Sequence, residues 1–168
     1  MKRAIYAGCF ALPALVLVGV AIAAGGLGGA KSATAGFQTL AQAKAAGYTD
    51  KVVDLKGFAC IEDPNAGGMG VHFLNPSLLD GKVDAGKPEL LVYEPRANGK
   101  VKLVAVEYLV LAKDWKGKAK PKLFGRTFDT VKPGNRYGLP KAYALHAWVW
   151  KSNPSGVLAP YNPRVDCS

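Results

Sequence analysis

Leu90-Leu91-Val92-Tyr93-Glu94-Pro95-Arg96-Ala97-Asn98-Gly99-Lys100-Val101-Lys102-Leu103-Val104-Ala105-Val106-Glu107-Tyr108-Leu109-Val110-Leu111 is the stretch that decides the fold. Two runs rich in Leu, Val and Tyr flank Asn98-Gly99, a pair whose residues both tolerate positive φ and so suit a two-residue type I′ turn. That turn sets Glu94 opposite Leu103, Val92 opposite Ala105 and Leu90 opposite Glu107. Side chains alternate along a strand. One face then carries Leu90, Val92, Glu94, Leu103, Ala105 and Glu107; the other carries Leu91, Tyr93, Val104, Val106 and Tyr108. Both faces are largely apolar, which places this hairpin at the centre of a sheet rather than at its edge.

Tyr143 to Trp150 reads as another strand, with Leu145, Ala147 and Val149 on one side and His146, Trp148 and Trp150 on the other. Val71-His72-Phe73-Leu74 is a shorter one, closed by Asn75-Pro76 and preceded by a Gly-rich turn. Val52 to Leu55 opens the strand region. Phe37 to Ala46 has helical spacing, and Gly47 follows where a helix C-terminus favours glycine. Helices do not alternate regularly with strands, which excludes a parallel doubly wound fold. The expectation is an α+β domain: a mainly antiparallel curved sheet or small open barrel with one N-terminal helix.

The whole chain has 168 residues, 49% of them hydrophobic and 20% charged, enough for one domain with a real core. Met1-Lys2-Arg3 followed by an apolar run and then small residues is the pattern of a secretory signal peptide. Ala33-Thr34-Ala35 offers a cleavage site, so residues 1–35 read as leader and 36–168 as the exported domain, periplasmic or extracellular. An uncleaved N-terminal anchor is the alternative, and it leaves the body facing outward as well. Cys9 precedes most of the apolar run and reads as a small leader residue.

Cys60 and Cys167 remain, and an even pair in an exported chain reads as one disulfide. Formal net charge is +10; setting aside Lys2, Arg3 and Lys31 from the 22 basic residues leaves 19 against 12 acidic. No zinc-finger spacing or basic–aromatic stripe accompanies this charge, so nucleic acid is not an expected partner. Lys113, Lys116, Lys118, Lys120 and Lys122 form an expected solvated excursion, with an anionic envelope surface as its candidate partner.

Several phrases stand out: Gly68-Met69-Gly70-Val71-His72-Phe73, Leu91-Val92-Tyr93-Glu94-Pro95, Val106-Glu107-Tyr108, Leu145-His146-Ala147-Trp148-Val149-Trp150, Asn153-Pro154-Ser155-Gly156 and Asn162-Pro163-Arg164-Val165-Asp166-Cys167. Together they resemble a group of uncharacterised exported bacterial proteins. The resemblance implies an exported domain and brings no assigned chemistry.

The chain lacks a Gly-x-Ser-x-Gly elbow, a phosphate loop, a dinucleotide fingerprint and His-Glu-x-x-His. Glu94 and Glu107 share a face, but four residues of strand separate them by about 13 Å, too far for either glycosidase geometry. What remains is the chain's two histidines, His72 and His146, and Glu107, each set in apolar sequence. A carboxylate there is costly unless it is partnered, and Glu107 reads as the most apolar-embedded one. Two imidazoles and a carboxylate suit a divalent metal. The same set suits acid–base chemistry in a small hydrolase or lyase, and independent satisfaction in the core is the third reading. Trp148, Trp150 and Tyr108 are the candidates to line a ligand pocket beside it, with plain core packing as the alternative. Three functions stay open: a domain binding a metal or small polar ligand, an enzyme on the same residues, and a non-catalytic envelope interaction domain.

Overall fold

A computed structural model describes residues 26–167. The chain forms α1 (Leu27–Ala33), α2 (Leu40–Ala45), β1 (Asp50–Lys51), β2 (Cys60–Asp63), β3 (Gly67–Leu74), β4 (Leu90–Pro95), β5 (Val101–Leu111), β6 (Lys122–Leu123), β7 (Arg126–Thr127), β8 (Asp129–Val131) and β9 (Ala142–Ala147). Seven strands make one open antiparallel sheet in the order β1-β3-β4-β5-β9-β8, with β2 also on β3; β6 and β7 form a separate ribbon. The fold is α+β, and the sheet does not close into a barrel. Among the described residues no helix is long and apolar enough to cross a membrane.

The β4–β5 hairpin is central, as its two apolar faces require, but its turn differs from expectation. Pro95 pairs with Val101 and Glu94 with Lys102, so Ala97-Asn98-Gly99 is a three-residue connection. Gly99 takes the left-handed conformation at φ 69°, the usual end of such a loop. The extra loop residue shifts the register by one, and a bulge shifts it back. Tyr93 pairs with Leu103 and Val92 with Ala105, leaving Val104 as the inserted residue. Leu103 and Val104 therefore exchange the faces that simple alternation assigns them. Leu103 joins Tyr93, Val106 and Tyr108, while Val104 joins Val92, Ala105 and Trp148. Beyond the bulge, Leu90 opposite Glu107 stands as expected.

One face of the sheet is covered by the N-terminal segment. The helix expected over 37–46 is regular only from Leu40, because Thr39 caps it: its hydroxyl accepts from the Gln42 N–H, and the Gln42 carboxamide accepts from the Thr39 N–H. Phe37 sits in a preceding 3₁₀ turn and still packs on the core with Tyr48, Phe73 and Tyr93. Tyr93 Oη donates to the Phe37 carbonyl at 2.6 Å, tying the segment to the sheet.

Residues 1–25 of the expected leader lie outside the described residues. Its last part does not stand apart from the domain. Ala30 and Thr34 are fully buried, Leu27 packs on the main core, and Trp150 Nε1 donates to Thr34 Oγ1 at 2.9 Å. Lys31 Nζ lies 5.1 Å from the Trp150 ring centroid.

The C-terminal tail returns across the other end of the sheet. Gly68 exchanges backbone hydrogen bonds with Asn162, and Cys60 is bonded to Cys167 with Cα atoms 5.5 Å apart. The close approach explains the glycines here: a Cβ on Gly68 would lie 2.8 Å from Val165 Cγ1. What the sequence presents as a flexible turn, 67–70, is thus the start of β3 and the seat of the tail.

Two outcomes test this arrangement. A chain beginning at Gly26 should be more stable than one beginning at Gly36 by about 1–2 kcal/mol, one buried hydrogen bond plus a few apolar contacts, measured by urea unfolding. Equal stability would show that α1 contributes nothing. The double variant Cys60→Ala/Cys167→Ala should lose about 2–4 kcal/mol in the same assay, since it opens a loop of 107 residues.

Candidate metal centre

Three strands carry the polar residues on the face opposite the helices. Glu107 on β5 pairs directly with His146 on β9, and on its other side with Leu90 of β4. His72 on β3 is opposite Val92 of β4. Two inter-strand steps, about 9.6 Å, separate the β3 and β5 backbones. The side chains close that gap by leaning over β4. His72 Nε2 and Glu107 Oε2 lie 3.2 Å apart, a close polar approach without the alignment of a full hydrogen bond. The two imidazoles meet edge to face with centroids 5.5 Å apart. One ligand atom from each of His72, Glu107 and His146 falls within 4.8 Å of the others. The three candidates read from the sequence are brought together.

His146 is the unusual member. It is 4% exposed, and neither of its ring nitrogens has a hydrogen-bond partner. An imidazole has an N–H donor and a lone-pair acceptor to satisfy, and burying them unmet costs free energy. The ring is held by stacking on Trp148, with centroids 4.6 Å apart and planes 27° apart. Trp148 is fixed in turn: its Nε1 donates to the Ala159 carbonyl at 2.7 Å, and it packs against Val165 of the tail that Cys167 anchors. Burial pushes the His146 pKa down to about 3, against the raising effect of Glu107 and with a further lowering from His72. Its imidazole is therefore neutral at physiological pH. That is the form that binds metals and is a weak general base. For Glu107 burial favours the protonated acid, but the contact with His72, followed by smaller electrostatic effects of His72 and His146, outweighs it and lowers its pKa.

His72 and Glu107 form the polar floor of a cavity of about 90 Å³. Its walls are mainly apolar, including Leu90, Leu109, Ala144 and Leu139, with Tyr137 adding a phenol. Burial and the Glu107 charge raise the Tyr137 pKa to about 12, so the phenol keeps its proton. The rim segments on either side are clamped together. Arg136 Nη2 contacts Asp54 Oδ2 at 2.8 Å, and the Leu55 N–H donates to the Arg136 carbonyl. The Arg136 hydrogen bond leads the causes that lower the Asp54 pKa.

The aromatic candidates divide. Trp148 stacks on His146, although neither of the two is among the residues that line the cavity. Trp150 lies elsewhere: β9 ends at Ala147, and the Val149 N–H donates back to the Ala147 carbonyl. That tight turn breaks the alternation and sends Trp150 to the helix-covered face. Tyr108 is also on that face, fully buried, with its hydroxyl donating to the Ala85 carbonyl. Neither lines the cavity.

Other carboxylates are less exposed than Glu107. Its side chain is 16% exposed, whereas Glu89 and Glu94 are 2% and 3% exposed as residues. Glu94 is ion-paired with Lys151 and Arg96. Glu89 Oε2 accepts from the Leu109 N–H at 3.0 Å, a role that only its position before the apolar run 90–93 hinted at. The five lysines from Lys113 to Lys122 are exposed, and Lys113 pairs with Asp114.

Comparison with known protein families, curated proteins and solved structures finds no match.

Glu89 supplies a pH test. Burial, opposed by the Leu109 hydrogen bond and assisted by the charges of Asp80 and Glu107, raises its pKa to about 8. The folded state then holds a proton that the unfolded chain releases above about pH 4.5, so stability from this group is present at low pH and is lost between about pH 4.5 and 8. Glu89→Gln should match the wild type near pH 4.5 and exceed it near pH 8, by chelator-treated thermal unfolding. A pH-independent difference would contradict the assignment.

Proposed function

We propose that this is an exported domain that binds one divalent transition-metal ion through His72, Glu107 and His146. The observation that carries the reading is His146, a buried imidazole whose two nitrogens are both unpartnered, beside a second imidazole and a carboxylate. An ion would give that ring its missing partner. Two imidazoles and one carboxylate suit Zn²⁺ with a fourth position left open; Fe²⁺ accepts the same donor set. At metal–ligand lengths of about 2.0–2.2 Å, donors in a tetrahedral site sit about 3.4 Å apart. The 3.2 Å His72–Glu107 approach already has that spacing, and small side-chain rotations bring in His146.

Export is supported by the Cys60–Cys167 disulfide, which fits an oxidising compartment, and by the leader-like N-terminus. The packing of Leu27 to Thr34 on the domain favours a mature N-terminus upstream of Leu27 rather than after Ala35. The exposed lysines between 113 and 122 support a loose association with an anionic envelope surface, one that weakens with salt. The neutral, strongly desolvated His146 supports ligation over general-base catalysis as the use of this site.

Titration calorimetry of the chelator-stripped domain with Zn²⁺, and separately with Fe²⁺ under anaerobic conditions, is the test. One ion should bind per chain. His146→Ala should weaken binding at least about 100-fold, more than losing a supporting hydrogen bond to a ligand does, while circular dichroism stays unchanged. Equal binding by wild type and His146→Ala would overturn the proposal.

A further inference from the structure

The cavity above His72 and Glu107 says what the open position on such an ion would take; this step rests on the metal reading. Three properties of the cavity constrain the ligand. The first is size: about 90 Å³, roughly three-fifths of a cavity of about 150 Å³ that admits benzene. A sugar, nucleotide or peptide does not fit, and a chain of four or five heavy atoms does. The second is polarity. His72, Glu107 and Tyr137 are the polar-tipped lining residues, and Leu90, Leu109, Leu139 and Ala144 belong to the apolar wall. A ligand with a polar group at each end would leave one of them without partners in an apolar wall. The third is charge. A divalent ion bound through one carboxylate and two imidazole lone pairs carries one net positive charge in a largely buried site, which favours an anionic fourth ligand.

We propose that the metal-bound domain takes a short-chain aliphatic monocarboxylate, whose carboxylate completes the coordination of the ion while its alkyl tail fills the cavity. Tyr137, protonated and lining the same cavity, is placed to donate a hydrogen bond to the carboxylate oxygen that the ion leaves free. Ala144 is the residue that leaves room for the tail. It lies on β9 two positions before His146 and therefore on the same face.

The test uses the disulfide-bonded domain loaded with Co²⁺, whose visible absorption reports its coordination. Butyrate should change the spectrum saturably and bind roughly tenfold tighter than acetate, the effect of burying two more methylenes. Succinate, of similar length with a second carboxylate, and octanoate, too long for the cavity, should bind more weakly than butyrate. Ala144→Leu should abolish the preference for butyrate over acetate and leave Co²⁺ affinity unchanged. Tyr137→Phe should weaken both acids and leave Co²⁺ affinity unchanged. If Co²⁺ binds but acetate, butyrate and succinate are equivalent, or Ala144→Leu leaves the preference intact, the ligand assignment is wrong and the metal site stands. If Co²⁺ does not bind, both fall.

Discussion

The site depends on one cross-strand pair, Glu107 opposite His146 in the β5–β9 ladder. Directly opposed residues on one face of an antiparallel pair have Cβ atoms about 4.5–5.5 Å apart. That register alone holds the carboxylate and the buried imidazole within reach of each other. His72 then has to reach across β4 alone, between the levels of Val92 and Leu90. A one-residue slip in either ladder would turn Glu107 or His146 to the opposite face, where the helices and Tyr108 form the main core. The bulge at Val104 has the same significance. It cancels the one-residue shift introduced by the Ala97-Asn98-Gly99 loop and returns Glu107 to the face that carries the histidines.

Support for His146 runs through the least regular part of the chain. Behind the imidazole is Trp148, behind Trp148 is Val165, and two residues beyond Val165 is the disulfide. The tail's backbone hydrogen bonds to β3 run through Gly68, which exchanges bonds with Asn162 and also donates to the Val165 carbonyl. A covalent tie at Cys167 keeps the ring behind His146 in place without requiring a further strand. The disulfide thus joins stability to the geometry of the candidate site, since loosening the tail also loosens the surface on which the imidazole stacks.

Much of this was legible in the residues. The two apolar runs around Asn98-Gly99 gave the central hairpin, and alternation from Leu90 gave the face of Glu107. The placement of His72 and His146 in apolar strands marks them as unusual without reference to their partners. The failures came where alternation is interrupted. A bulge does not change composition, so Leu103 and Val104 offered no sign that they exchange faces. The strand-like spelling of Trp148-Val149-Trp150 hides a tight turn after Ala147, which puts Trp150 on the face opposite to the one that alternation assigns. Tyr108 was misassigned by a weaker inference, that aromatics near a site line it. It alternates with Glu107 on the same strand, so neighbours in sequence point to opposite faces. Glu89 carries no local mark because the burial of a residue just before a strand is set by what the fold brings over it, and local sequence holds no record of that.

Anomalous diffraction from crystals of the disulfide-bonded domain soaked in Zn²⁺ tests the central claim most directly. The account predicts one full-occupancy peak bonded to a ring nitrogen of His72, a ring nitrogen of His146 and a carboxylate oxygen of Glu107, each at about 2.0–2.2 Å, with the fourth position facing the cavity. A structure without zinc at these residues, with the His146 nitrogens bonded instead to ordered water or to a backbone carbonyl, would contradict it.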